Sequence, residues 1–251
     1  MIYFCSDLDN TLIYSYRHDI GKEKVLVETK EGKELSYMSK VSYELLQKVA
    51  KKKELVPLTT RSLEQYSRIS FGSQVKIKYA LAANGGILLE NNRINEDWLR
   101  ETKKIVSYAE EEMEKGIQIL KKDKKVCFEV RKVDEVSVFT KSSDPEETMK
   151  RLKETLDTDI VYISSNGIKV YIFPKALDKG SSLKRFRGYV GEDNCFLAAG
   201  DSDFDIPMLL AADQGYCPNT LMISENKKVK SLPVSGFSDK MLEEILIFQE
   251  Q

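Results

Sequence analysis

Short apolar runs that end in polar residues recur along the first third of the chain. These runs are residues 2–6, 55–58 and 79–83, and amphipathic segments predict helices between them at residues 40–53 and 62–70. A run that is apolar throughout is typical of a strand buried on both faces, as in a parallel sheet. Strands that alternate with helices predict an α/β fold with a doubly wound, mostly parallel, Rossmann-like sheet.

The pattern changes after residue 87. A charged amphipathic helix over residues 98–122 is followed by strands that alternate apolar and polar positions, as half-exposed antiparallel strands do. The further elements predicted here are strands at 125–131 and 135–141, a helix at 145–156, and strands at 159–164 and 168–173. We therefore predict an inserted α+β domain with the order α-β-β-α-β-β.

The predicted domain organisation follows from this change. Residues 1–87 and 175–251 form one α/β core domain, and residues 88–174 form the insert. The α/β pattern resumes after Pro174 with elements predicted at residues 179–190, 195–199, 206–212, 215–217 and 239–249. A smaller feature is a β-hairpin near residues 25–29, with a turn at Glu31 and Gly32.

Composition narrows the possible partners. The chain has 251 residues, 41% of them hydrophobic and 31% charged, with a net charge of −1, so no overall field attracts nucleic acid or an anionic membrane. No apolar run reaches the ~18 residues of a membrane span, and the N-terminus lacks a signal peptide. The cysteines are widely spaced and suit free thiols in the cytoplasm, while a single histidine argues against zinc. We expect a cytoplasmic monomer or weak dimer.

Acidic and hydroxyl side chains follow three of the predicted strands. They are Asp7 and Asp9, Thr59, and Asp201 with Asp205. Because parallel strands present their carboxyl ends at one edge of the sheet, these groups are expected to converge there, within reach of Lys179. Clustered carboxylates require a cation, and hard oxygen ligands favour Mg²⁺.

This arrangement predicts phosphoryl-transfer chemistry. Asp7 can attack phosphorus and form an aspartyl-phosphate, and Asp9 can protonate the leaving oxygen and later activate water. The hydroxyl and backbone N–H of Thr59, together with Lys179, would bind phosphoryl oxygens. Arg61 could equally pair with a surface acid or contact the substrate.

Four motifs carry a resemblance to a known family. Asp7-Leu8-Asp9-Asn10-Thr11-Leu12 resembles the DxDxT signature of the haloacid dehalogenase superfamily, and Gly200-Asp201 with Asp205 resembles its GDxxxD motif. Thr59, before Thr60-Arg61, and Asp178-Lys179-Gly180 resemble its second and third motifs.

The resemblance also indicates a branch and its properties. The position of the insert, after Asn84-Gly85-Gly86, is similar to the type-2 cap of the Cof-like and sucrose-phosphatase-like branch. The family implies a Mg²⁺-dependent phosphatase, with Asp7, Asp9 and Asp201 at the metal and Asp9 contributing its backbone carbonyl. Thr60 and Arg61 become candidate substrate contacts. Asp205 is a candidate metal residue, although orienting its neighbours is the role we favour.

Two positions depart from the pattern of that branch. Phe204 stands where an asparagine that contacts phosphate is common, and Thr60 stands where glycine is usual. The leading hypothesis is a phosphatase for a small phosphorylated metabolite, with a sugar phosphate as one candidate. The alternatives are a phosphotransferase resembling phosphomannomutase and a non-catalytic binding or regulatory protein.

Overall fold

The computed structural model describes residues 1–223 and 226–249, which form two compact units. Unit 1 comprises Met1–Ile94 and Lys179–Gln251, and unit 2 comprises Asn95–Asp178. The predicted core domain also includes residues 224–225 and 250–251, which lie outside the described residues.

The first half of unit 1 contains the following elements, in chain order: β1 (Ile2–Ser6), β2 (Tyr14–Ser15), β3 (Lys24–Lys30), β4 (Lys33–Ser39), α1 (Lys40–Val49), β5 (Glu54–Pro57), α2 (Leu63–Tyr66), β6 (Tyr79–Ala82), β7 (Ile87–Glu90) and β8 (Arg93–Ile94). Unit 2 contains α3 (Glu96–Lys122), β9 (Arg131–Val133), β10 (Ser137–Lys141), α4 (Pro145–Thr155), β11 (Val161–Asn166) and β12 (Lys169–Pro174). The second part of unit 1 contains α5 (Lys179–Val190), β13 (Cys195–Ala199), α6 (Ile206–Ala211), β14 (Gln214–Pro218), β15 (Val229–Leu232) and α7 (Phe237–Ile247).

The main sheet of unit 1 is parallel. Within the described residues its five strands have the order β15-β14-β13-β1-β5, with β1 between β13 and β5. The side chains of β1 and β13 are almost all buried, as expected for strands covered on both faces. Ser6 pairs with Ala199 at the carboxyl ends of these two strands, so Asp7 and Asp201 emerge at the same edge.

The third predicted strand of the core, β6, takes part in both antiparallel and parallel pairing. It pairs with β7 in an antiparallel hairpin that β8 extends, and a parallel bridge from Leu58 to Leu81 connects it to the end of β5. Since this hairpin extends to Ile94, the boundary of unit 1 lies at 94/95 instead of the predicted 87/88. The second boundary lies at 178/179 instead of the predicted 174/175.

The predicted hairpin after the first strand is part of a small antiparallel sheet with the order β2-β4-β3. Its register shifts at Glu28, because Leu26 pairs with Tyr37 and Glu28 pairs with Ser36, which leaves Val27 as an extra residue. This β-bulge places the consecutive residues Val27 and Glu28 both in the interior.

Unit 2 has the order α-β-β-α-β-β. Its antiparallel sheet, β11-β12-β10-β9, shares an apolar core with α3 and α4 that includes Met113, Val138, Leu152 and Ile172. The strand predicted at residues 125–131 is wrong: only a single bridge from Val126 to Ser142 forms there, and β9 begins at Arg131.

Among the other elements of unit 1, α2 and β15 differ most from the predictions. The helix predicted at residues 62–70 is the single turn α2, which ends because Ser70 donates its N–H to the Val27 carbonyl of β3 instead of continuing the helix. The edge strand β15 was not predicted, since its sequence Val229-Lys230-Ser231-Leu232 is short and half polar.

Within residues 1–223 and 226–249, none of the helices combines the length and apolar character that a membrane span requires.

Candidate active site

A buried lysine joins two of the predicted acidic residues. Lys179, the first residue of α5, is 1% exposed, and its Nζ atom lies 2.6 Å from Oδ1 of Asp7 and 2.5 Å from Oδ1 of Asp205. Gly180 allows α5 to approach α6 closely, since a Cβ atom there would overlap with the backbone of Pro207. Burial lowers the pKa of Lys179, but the two carboxylates outweigh this effect and raise it, so the side chain is an ammonium.

Asp205 orients the loop that carries Asp201. Its Oδ2 atom accepts hydrogen bonds from the backbone N–H groups of Asp201 (3.1 Å) and Ser202 (2.9 Å) and from the Ser202 hydroxyl (2.8 Å). Gly200 is required for this packing, because a Cβ atom there would overlap with Asp205 Cβ. With these donors and Lys179 around it, the fully buried Asp205 carboxylate fits an orienting role better than direct metal binding.

Asp201 lies beside the loop that follows β1. Thr11, from the DxDxT segment, donates its hydroxyl to Oδ1 of Asp201 at 3.1 Å. Burial and the nearby Asp205 carboxylate raise the pKa of Asp201 to about 6, although Lys179 opposes the rise. Burial likewise raises the pKa of Asp7 well above its ordinary value, with Lys179 opposing and Asp205 and Asp201 adding to the rise.

These acids are suited to a divalent cation. One carboxylate oxygen from each of Asp7, Asp201 and Asp205 lies within 4.8 Å of the other two. Burial and neighbouring carboxylates raise the pKa values of Asp7 and Asp201, and a bound cation would favour the ionised form of both side chains. An all-oxygen donor set matches Mg²⁺.

Asp9 makes an ion pair with Arg61. Its carboxylate accepts two hydrogen bonds from Arg61, from Nε to Oδ2 and from Nη2 to Oδ1, both of 2.8 Å. The pairing is bidentate, the strongest arrangement between a guanidinium and a carboxylate. Arg61 therefore pairs with Asp9, an acid of the site. The sequence alone did not distinguish a pairing with an acid from a contact with the substrate.

Thr59 lies at the same sheet edge, with one difference from the prediction. Its backbone N–H donates to the Leu81 carbonyl at 2.9 Å, so it is occupied by the bridge between β5 and β6. Its buried hydroxyl accepts from the N–H of Arg61 at 3.1 Å and can still donate its own proton to a phosphoryl oxygen. Thr60 follows and is partly exposed.

At position 204, where the Cof-like pattern commonly has an asparagine, the structure places an apolar side chain in the interior. Phe204 is buried beside Asp205, whereas Asp203 before it is exposed to solvent. A buried phenyl ring packs against its neighbours and has no group that hydrogen bonds to phosphate.

Two contributors to the site had no role assigned from the sequence. The Ser202 hydroxyl binds Asp205, and Glu28 of β3 makes an ion pair with Arg61, with 2.9 Å between Oε1 and Nη1. Ser202 could have been found as the residue after Gly200-Asp201. Glu28 carried no local signal, since in an alternating strand it reads as a solvent-facing residue.

Comparison with known protein families gives a match over most of the chain. The family model for haloacid dehalogenase-like hydrolases matches residues 48–231, which is well over half of the chain. The chain belongs to this family. A search of curated protein sequences gives no match.

Solved structures of this fold resemble the chain over nearly its whole length. A sucrose-phosphatase from Synechocystis sp. PCC6803, in complex with sucrose and phosphate, is 16% identical with a TM-score of 0.63 and covers 97% of each chain. The C-terminal domain of trehalose-6-phosphate phosphatase from C. albicans is 13% identical with a TM-score of 0.61, covering 98% of this chain and 91% of the other. A haloacid dehalogenase-like hydrolase from B. subtilis is 15% identical with a TM-score of 0.57, covering 97% and 99%.

The predicted superfamily, its Cof-like and sucrose-phosphatase-like branch, and the α/β fold class with an additional α+β part are confirmed. The family match includes Thr59, Lys179, Asp201 and Asp205 but begins after Asp7 and Asp9. In this haloacid dehalogenase-like hydrolase, the assignment of Asp7 and Asp9 to the first motif therefore depends on the local sequence pattern and on the contact of Asp7 with Lys179.

Proposed function

We propose that this hydrolase cleaves phosphate monoesters in two steps, with Asp7 as the nucleophile and Asp9 as the general acid and base. The observation that carries the proposal is the contact of 2.6 Å between Lys179 and Asp7, inside a group of three carboxylates at one sheet edge. The ammonium holds one Asp7 oxygen in place and favours the ionised carboxylate against the effect of burial, and the other oxygen is the attacking atom.

In the first step the Asp7 oxygen forms a bond to phosphorus while the ester P–O bond breaks. Asp9 must carry a proton at the start of this step and therefore gives up one of its two hydrogen bonds from Arg61; it donates that proton to the leaving oxygen, which departs as an alcohol. In the second step the Asp9 carboxylate removes a proton from water, and the resulting hydroxide displaces Asp7 from phosphorus. Inorganic phosphate leaves, and both aspartates return to their starting states.

Other side chains bind the phosphoryl group or hold the loops of the site in place. Lys179 and the Thr59 hydroxyl bind phosphoryl oxygens, while Asp205 keeps the Asp201 loop in place. Mg²⁺, held by Asp7, Asp201 and the backbone carbonyl of Asp9, would neutralise the charge that develops on the phosphoryl group.

The proposed substrate is a small phosphorylated metabolite, and a sugar phosphate is the first candidate. It is supported by the names of two structural relatives, a sucrose-phosphatase and a trehalose-6-phosphate phosphatase. We assign the role of a substrate-selecting cap to unit 2. Buried free thiols at Cys5, Cys195 and Cys217 suit a cytoplasmic enzyme.

The test is phosphate release from p-nitrophenyl phosphate and a panel of sugar phosphates, with Mg²⁺ and with EDTA. The Asp7→Asn variant is expected to lose turnover by about 10³-fold or more, because an amide is not a nucleophile. Asp203→Asn is the matched control, since Asp203 is an exposed acid in the same loop as Asp201. Turnover by Asp7→Asn at the level of this control would contradict the proposal, and a wild type inactive on the whole panel would favour a binding role.

A further inference from the structure

A chain of partly buried ion pairs links Asp9 through Arg61 to Glu28 and Arg68. Arg61 holds Asp9 with Nε and Nη2, and its third nitrogen, Nη1, lies 2.9 Å from Oε1 of Glu28. The same Glu28 oxygen accepts a hydrogen bond from Nε of Arg68 at 3.1 Å. Glu28 Oε2 accepts from the Ser36 hydroxyl at 2.6 Å.

The backbone delivers Glu28 to this position through the bulge in β3. A regular alternation would place Val27 and Glu28 on opposite faces of the small sheet. The extra residue in the register turns both side chains inward, and Glu28 is only 3% exposed. Bulges near active sites commonly re-aim one side chain in this way.

Glu28 carries a charge in this buried setting. Burial raises its pKa, but Arg61 and Ser36, followed by Arg68, outweigh burial and lower it. A buried carboxylate that stays ionised must be compensated by neighbours in fixed positions. Glu28 contacts Arg61 through Nη1, the nitrogen that does not bind Asp9, and the Arg61 side chain is itself 12% exposed.

We infer that Glu28 is a positioning residue for the general acid: it fixes the Arg61 guanidinium, and Arg61 in turn holds the Asp9 carboxylate where it meets the leaving oxygen. This inference rests on the proposed phosphatase function. Without Glu28, Arg61 keeps its pairing with Asp9 but loses its anchor, and the Arg61–Asp9 pair can move as one body. Leaving-group protonation depends on placement within hydrogen-bond reach, so this step suffers first.

The test compares two substrates whose leaving groups differ in their need for a proton. A residue with a merely structural role would affect both substrates equally. p-Nitrophenyl phosphate and phenyl phosphate differ by one nitro group, which makes p-nitrophenolate able to leave without a proton. For Glu28→Gln, kcat/KM with phenyl phosphate is expected to fall by about tenfold or more, part of the ~10²–10⁴-fold that general acids contribute. With p-nitrophenyl phosphate the fall is expected to stay below about threefold.

Glu64→Gln is the matched control. Glu64 pairs with Arg68 at 3.0 Å but not with Arg61, and it is exposed, so both substrates should react as with the wild type. Because the loss of a buried charge can disturb folding, Glu28→Asp provides a second variant that keeps the charge and withdraws the carboxylate by one methylene. The same bias against phenyl phosphate is expected.

The outcomes separate the two claims. An active wild type whose Glu28 variants lose both substrates equally, or lose neither, overturns the positioning role and leaves the phosphatase proposal intact. A wild type without Mg²⁺-dependent phosphate release overturns the phosphatase proposal and the positioning role together. A selective loss with phenyl phosphate, absent in Glu64→Gln, supports Glu28 as a positioning residue.

Discussion

The Nζ atom of Lys179 lies 2.6 Å from Oδ1 of Asp7, although the two residues are separated by 172 positions in the sequence. The pair brings the start of α5 to the end of β1, and Asp205 completes it from the loop before α6. A single buried cation thus compensates two carboxylates, and the stability of unit 1 and the proposed chemistry depend on the same contacts.

Replacement of Lys179 by methionine should therefore damage stability as well as turnover. Lys179→Met leaves the buried carboxylates of Asp7 and Asp205 without their cation, and removing one partner of a buried pair costs about 3–5 kcal/mol. Urea unfolding in EDTA measures the change in the free energy of unfolding. Lys184→Met is the control, because Lys184 is exposed on the same helix. Equal unfolding midpoints for the two variants would show that the Lys179 contacts contribute little.

The stability of the metal-free protein should depend on Asp201 below neutral pH. Its pKa is about 6 in the folded protein and 3.8 ordinarily, so between these values the folded state binds a proton more tightly than the unfolded state. The stabilisation from this proton is complete below about pH 4 and is lost as pH rises through about 6, a change on the order of 3 kcal/mol. Urea unfolding in EDTA at pH 4 to 7 should show this decline for the wild type and a flatter profile for Asp201→Asn. Parallel profiles would rule out Asp201 as the source.

Added Mg²⁺ should reverse that trend. The cation binds ionised carboxylates, so it competes with protons and stabilises the folded state by mass action. We expect Mg²⁺ to raise the melting temperature at pH 7.5 and to do so much less at pH 5, where the raised pKa keeps Asp201 largely protonated. Asp201→Asn should lose most of the shift at pH 7.5, while Asp203→Asn should keep it. A shift of equal size in Asp201→Asn would place the bound Mg²⁺ elsewhere.

Gly200 should tolerate no side chain. A Cβ atom there would overlap with Asp205 Cβ, and such overpacking typically costs about 1–3 kcal/mol. Gly200→Ala should lower the free energy of unfolding by that amount and reduce turnover, because Asp205 must shift. Gly188→Ala is the control: its Cβ would lie 3.6 Å from Glu192, an ordinary contact, and alanine favours the helix by up to about 1 kcal/mol. Equal effects at the two glycines would contradict this account of the Asp205 packing.

The main elements of the core could be predicted from local pattern. β1, α5 and β13 have the predicted bounds, because a run of buried apolar residues and an amphipathic period are local properties. The predictions failed where long-range pairing decides the outcome. The segment near residue 69 bridges to Glu28 instead of continuing α2, and β7 and β8 join β6 instead of the insert.

For the site, the sequence determined which groups are available. A carboxylate at the end of a parallel strand, or a lysine at the start of a helix that leads back into such a strand, lies at one sheet edge, and this rule brings Asp7, Lys179 and Asp201 together. Only the tertiary structure decided which partner each of these groups has. Asp9 pairs with Arg61, Asp205 binds the Asp201 loop, and Glu28 is turned inward by a bulge. The reason is physical: the positions of strands and helices along the chain follow from local hydrophobic pattern, whereas the partner of a buried charge is set by whichever opposite charge the packed fold brings within a few ångströms.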